Sequence, residues 1–346
     1  MPRKPLPNPE TAPSAPLPGW GTAEAVLQRL EWTVLRRLDG LLEGDYRSLF
    51  RGLGLDLADL RPYQFNDDVR HIDWNVTARV LEPHVRQFQQ EREITAWFLL
   101  DLSASMEFGA YERSKRDVLL TFVGAFSRLL TRHGNRVGAI VADQGVEMVL
   151  PARGGRQQVL QLLHRLMRRE PSRGGTPAGR RATDLAALLR HAAGVMRRRA
   201  MVFLVSDFIC EPGWTEPLGQ LAQRHDVLAV RLVDSLEREL PDLGLIPMQD
   251  AETGEQLWVD THDPAFRRRF AAVARQREAE LRIAFGDAGV DALELSTDED
   301  LTDALRRFIA LRKLRARLAA GGGVPAPRTG QADVSADGGQ DVVPVA

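Results

Sequence analysis

The sequence predicts an α/β protein built on a mostly parallel sheet with helices on both faces. Two patterns carry that expectation. Several short runs are apolar almost without interruption, 94–100 and 201–205 most plainly, as strands buried on both faces are. Between such runs lie longer stretches with apolar residues at helical spacing, for example Val118, Leu119, Phe122, Val123, Phe126, Leu129 and Leu130. Strands that alternate with helices build parallel sheets covered on both sides.

The elements follow in order. Residues 1–19 are Pro-rich and bury little, so a disordered or extended tail is expected. Residues 22–42 read as an amphipathic helix through Val26, Leu27, Leu30, Val34, Leu35, Leu38 and Leu41. The stretch 45–93 is irregular, with turn signals at Gly52, Gly54, Pro62 and Asn66 and short strands expected near 49–57 and 83–89. A strand at 94–100 leads to a helix at 113–132, which His133-Gly134-Asn135 ends. Strands at 136–142 and 146–150 pair, and a helix follows at 156–167. After a loop at 170–182 come a helix at 184–198, a strand at 201–205, a helix at 214–224 and a strand at 227–232. A hairpin around Thr253-Gly254 is expected within 243–260, then a helix at 263–284, a strand at 292–295 and a helix at 299–318. The organisation expected is therefore a tail at 1–19, an N-terminal helix and irregular region at 20–93, the α/β domain with its extension at 94–318, and a Gly-rich disordered tail at 319–346.

Composition narrows the function classes. An apolar share of 44% over 346 residues supplies a sizeable core. A formal net charge of -1 gives no overall attraction to nucleic acid or anionic lipid. The single cysteine, Cys210, makes no internal disulfide and no zinc cluster, which fits a reducing compartment. No run approaches the roughly 18 apolar residues of a membrane helix. Prolines stand where a signal peptide would have its apolar core, so the expected location is the cytoplasm.

In open parallel sheets ligands bind beyond the carboxyl ends of strands, where the strand order reverses. Three short polar segments fall there. Asp101-Leu102-Ser103-Ala104-Ser105 follows the strand at 94–100, Ser206-Asp207 follows the strand at 201–205, and Thr183-Asp184 opens the helix at 184–198. Carboxylates and hydroxyls are the donors a hard cation such as Mg2+ takes, with water completing an octahedral shell. The less specific reading is an ordinary strand-to-helix loop whose serines and threonine cap backbone N–H groups.

The pattern Asp-x-Ser-x-Ser, Thr, Asp resembles the metal ion-dependent adhesion site of von Willebrand factor type A domains. That resemblance implies metal ligands at Asp101, Ser103, Ser105, Thr183 and Asp207, with one coordination position open to an acidic side chain of a partner. Mg2+ is the favoured ion, with Mn2+ or Ca2+ as alternatives. Gly174-Gly175-Thr176 offers a rival threonine; Thr183 is favoured because Asp184-Leu185 and a clean helix follow it. Upstream, Leu60-Arg61, Tyr63, Asp67-Asp68, Arg70, Ile72-Asp73-Trp74 and Ala78-Arg79 resemble the signature of the bacterial family called domain of unknown function fifty-eight. The likeness covers roughly 45–235. It implies a von Willebrand factor A-like fold, and a partner among MoxR-type AAA+ ATPases or their client proteins in chaperone-like maturation or regulation. Phe65-Asn66 replaces the family's usual Pro-Gly, Arg181-Ala182 its Gly-rich lead into the threonine, and the membrane anchor of many relatives is absent.

Other residues have simpler readings. Asp67, Asp68, His71 and Asp73 suit a structural network with Arg70 and Arg79, and Trp74 a core anchor. The runs 197–199 and 267–269 read as solvated helix faces, and Cys210 as inert. The function expected is a non-enzymatic, metal-dependent protein-interaction module without affinity for nucleic acid. The alternatives are a metal-independent scaffold and a phosphohydrolase with Asp101 as nucleophile. Against the last, Ser103 stands where a phosphatase of the haloacid dehalogenase type needs a second aspartate.

Overall fold

The computed structural model describes residues 21–38, 60–64, scattered positions between 69 and 86, and then 93–109, 113–169, 183–249 and 256–319. The chain divides into two units, Met1–Ile309 and Ala310–Ala346, and the sheet belongs to the first.

Six strands form the central sheet: β3 (Thr95–Asp101), β4 (Arg136–Ala142), β5 (Val146–Arg153), β6 (Met201–Ser206), β7 (Asp226–Val233) and β10 (Asp291–Ser296). Their order is β10-β7-β6-β3-β4-β5. All neighbours are parallel except β4 and β5. The mostly parallel sheet with helices on both faces expected from the sequence is the architecture observed.

Alternation along β3 explains the layering. Ala96, Phe98 and Leu100 enter one core and Trp97 and Leu99 the other. The first core is closed by α1 (Ala23–Leu30), α2 (Lys115–Arg132), α3 (Arg156–Arg168) and the start of α7 (Leu301–Ala319). The second is closed by α4 (Leu185–Val195), α5 (Thr215–Arg224) and α6 (Pro264–Asp287). Phe98, Phe122, Phe126 and Phe203 form an aromatic knot in the first core, with Phe98 stacked on Phe203 at 5.0 Å between ring centroids. Each such pair adds about 0.5–1.5 kcal/mol beyond area burial. The edge strand β5 has the half-exposed pattern of an outer strand and tolerates Pro151.

Helix ends carry their expected chemistry. Ser114 and Asp117 make a reciprocal capping box at the start of α2. At its end Gly134 takes a φ of +77°, and the Asn135 side chain accepts the Ile94 N–H at 3.1 Å, tying the helix end to the start of β3. The N-terminal helix buries Val26, Leu27 and Leu30 in the same core as the sheet and continues through a π-helical turn, Glu31–Leu35. A two-stranded pair joins β1 (Leu60–Pro62) to β2 (His84–Arg86), and another joins β8 (Leu245–Gln249) to β9 (Gln256–Asp260).

Two expectations need correction. Trp74 is 69% exposed and not a core anchor. Helices already fill both faces of the sheet, leaving no core position for it. Arg197, Arg198 and Arg199 lie beyond the end of α4 at Val195, and Arg199 pairs with Asp226 at 2.7 Å. They are exposed, as expected, but not on a helix. The segments 1–19, 49–57 and 320–346, the turn at Thr253-Gly254, and the network of Asp67, Asp68, Arg70, His71, Asp73 and Arg79 fall outside the described residues. The stretch 236–318 supplies the hairpin, α6, the sixth strand β10 and most of α7.

Candidate metal centre

β3 and β6 are neighbours, yet the chain leaves β3 toward β4 and returns to β6 on the other side. Their carboxyl ends therefore flank the switch point of the sheet, where a crevice forms without further design. Asp101 is the last residue of β3, and Asp207 immediately follows β6. Thr183 joins them, because its carbonyl accepts the Glu211 N–H at 3.1 Å from the loop after Asp207. Asp101, Ser103, Ser105, Thr183 and Asp207 are all buried. Thr176 lies outside the described residues.

The groups are held by short local bonds. Asp101 Oδ1 accepts the Ser103 N–H at 3.0 Å, and Asp101 Oδ2 accepts the Ser206 hydroxyl at 2.6 Å. Ser206 Oγ in turn accepts the Phe208 N–H at 2.9 Å. Asp207 Oδ1 accepts the Ile209 N–H at 2.9 Å. Phe208 makes that return possible with a φ of +58°, the one positive φ outside glycine among the described residues. Such a conformation costs about 1–2 kcal/mol in an L-residue. Packing against Trp214 and Phe285, at 5.2 and 4.9 Å between centroids, offsets it. Strain at a loop that presents a polar group is a mark of a ligand site.

The donors suit a hard cation. Ser103 Oγ and Ser105 Oγ are 3.1 Å apart, and adjacent oxygens of an octahedral Mg2+ shell lie roughly 2.9 Å apart. No three His, Cys, Asp or Glu side chains come together as a ligand set among the described residues. An ion here would rest on hydroxyls and water as well as on carboxylate, which favours Mg2+ over softer metals. Burial first, and then the charge of Asp207, push Asp101 up to about 6.

Three groups here were not singled out in the sequence. Ser206 holds Asp101 in place. Lys115, fully buried in the first turn of α2, donates from Nζ to Asp207 Oδ2 at 2.7 Å and also pairs with Glu237. Burial works to strip its proton, but Asp207 and Glu237 outweigh that and raise its pKa. Arg116, also buried, bonds Glu107 at 2.7 Å and the carbonyls of Leu166 and Arg169, fixing the turn Ala104–Glu107 against the end of α3. A signal for Lys115 and Arg116 existed: two cations opening a helix face the positive end of its dipole, so burial beside carboxylates was a reason for them. Cys210 behaves as read, since burial and then the charges of Asp101 and Asp207 push its thiol up to about 12.

A family model described as "Protein of unknown function DUF58" matches residues 59–280. The chain belongs to this family. Among its relatives, the Mycobacterium tuberculosis (strain ATCC 25618 / H37Rv) protein named "Uncharacterized protein Rv1480" is 39% identical over 289 residues, covering 84% of this chain and 89% of the relative. "Uncharacterized protein MAV169" of Mycobacterium avium is 37% identical over 164 residues, which are 47% of this chain and 94% of that protein. Among solved structures, an aerotolerance-related membrane protein from Bacteroides fragilis aligns over 64% of this chain and 99% of its own, with 14% identity and a TM-score of 0.41. The SpRpn10 VWA domain aligns over 62% and 95%, with 11% identity and a TM-score of 0.34. For this DUF58 chain, no described helix is long and apolar enough to cross a membrane.

Proposed function

We propose that this DUF58 protein is a non-enzymatic interaction module that takes one divalent cation, Mg2+ by preference, at Asp101, Ser103, Ser105, Thr183 and Asp207. A partner's acidic side chain completes the shell. The observation that supports the reading is the burial of Asp101, Ser103, Ser105 and Asp207 around the switch point, with two serine hydroxyls 3.1 Å apart and the Thr183 backbone bonded to the loop after Asp207. The ion supplies positive charge in a site where burial strengthens its attraction for a carboxylate. The residues themselves orient it. Ser206 and the Ser103 N–H aim Asp101, and Ile209 aims Asp207.

The family resemblance makes a MoxR-type AAA+ ATPase, or a client of one, the proposed partner, in chaperone-like maturation or regulation within the cytoplasm. A phosphohydrolase reading is less well supported. Asp101 is buried with both oxygens engaged, a poor state for an attacking nucleophile. The test is capture of the MoxR-type ATPase of the same organism on immobilised full-length protein, in Mg2+ and in chelator. Capture in Mg2+, lost in chelator and lost in Asp101→Ala, is expected. Capture indifferent to both favours a metal-independent scaffold.

A further inference from the structure

We propose that Lys115 is a specificity-determining residue of this site. Its ammonium offsets one of the negative charges of Asp207 and Glu237, so that with Asp101 counted a bound divalent ion leaves the site neutral and not negative, and a partner's carboxylate is accepted. This rests on the metal-dependent reading above.

The placement of Lys115 is unfavourable unless it is used. Its side chain and that of Asp207 are fully buried. Taking an ammonium out of water is costly, and an apolar residue of similar size packs there without that cost. It also stands in the first turn of α2, where the helix dipole opposes a cation. What surrounds it is specific. Asp207 comes from the end of β6. Glu237 comes from the turn after β7, held by a capping box in which its other oxygen accepts the Asp234 N–H at 3.3 Å. The Phe108 ring lies 5.9 Å from Nζ. Arg277 of α6 bonds the Phe208 carbonyl at 3.2 Å.

Charge decides what the loaded site accepts. Asp101, Asp207 and Glu237 bring three negative charges, and Lys115 is the cation in direct contact with two of them. With a divalent ion bound, the charges cancel and a further carboxylate is welcome. Without Lys115 the same loaded site stays negative and repels one, while the ion itself is held more tightly by two free carboxylates. Lys115 thus weakens metal binding and strengthens binding of the acidic partner.

The experiment titrates Mn2+ calorimetrically into metal-free full-length protein, with wild type, Lys115→Met and Glu237→Gln compared and folding of each checked by thermal melting. Lys115→Met is expected to bind Mn2+ at least about tenfold more tightly, and Glu237→Gln a few-fold more weakly, about what one charge at this range supplies. Acetate, as a carboxylate probe, should displace Mn2+-bound water in wild type, read by water-proton relaxation, and not in Lys115→Met. Equal or weaker Mn2+ affinity in Lys115→Met overturns the role of Lys115 and leaves the metal reading standing. Silence of both wild type and Lys115→Met overturns the metal reading and this inference with it. Binding by Lys115→Met alone removes the metal reading for the natural chain and overturns this inference with it. Should Lys115→Met fail to fold, Glu237→Gln decides: tighter or unchanged Mn2+ binding overturns the inference.

Discussion

Two charge clusters lie close together in this sheet and are built on different principles. Arg231 on β7 and Arg238, just past the turn that follows β7, each contact both Glu278 of α6 and Glu294 of β10, at 2.6 to 3.5 Å. Two cations and two anions close on one another. Beyond the ends of β3 and β6, one ammonium, Lys115, serves Asp207 and Glu237, Asp101 lies beside Asp207, and two serine hydroxyls face each other. The first cluster balances its own charges, with Arg282 a further cation 3.5 Å from Glu278, although the buried Arg231 Nε has no partner among the described residues. The second is deficient in positive charge and rich in oxygen donors. Structural networks satisfy themselves, whereas a ligand site is left for something else to finish.

That contrast is open to attack from both sides. The largest effect should come from the scaffold of the incomplete cluster. Phe208→Ala removes the ring between Trp214 and Phe285 but keeps the positive φ. It should cost about 3–5 kcal/mol in denaturant unfolding. Ser103→Ala with Ser105→Ala should leave folding intact and weaken ion binding at least about a hundredfold by calorimetry. Arg231→Met strikes the closed cluster. It should cost about 1–3 kcal/mol of stability, because Arg238 still bonds both glutamates. Ion affinity should stay within about twofold, since the sites share no partner; a tenfold change would show the two clusters to be one network. The smallest effect concerns His225, a buried imidazole apart from both. Burial, and then Arg224, hold it below the 6.5 of a free imidazole. A histidine held low in the folded state binds fewer protons there than in the unfolded chain. Its contribution is present above pH 6.5 and lost as pH falls. Urea unfolding should show a slight loss of stability on acidification that His225→Gln removes.

The sheet was legible in the sequence because its strands are continuous apolar runs with helical periodicity between them. Strand ends at 101 and 206 differ from the expected 100 and 205 by one residue. Four of the five proposed ligands could be named because they end or follow a strand at the switch point and are short and oxygen-bearing, whereas Thr183 was named from its place at the start of a helix. Lys115 was missed, since a lysine in a helix that is otherwise apolar on one side reads as solvent-facing. Only its position against the dipole argued otherwise. Glu237 was missed because it reaches the site through a turn after β7, a long-range relation that no local pattern encodes. Trp74 was misread for a related reason. A large apolar side chain suggests a core position, but the helices had already filled both faces of the sheet.

The most direct measurement is the stoichiometry of Mg2+ binding to metal-free protein by calorimetry, alongside the Ser103→Ala, Ser105→Ala variant. About one ion per chain, absent from the variant, is the result expected. Heat that survives in the variant, placing the ion elsewhere, or no binding together with a melting temperature indifferent to Mg2+, would contradict the account.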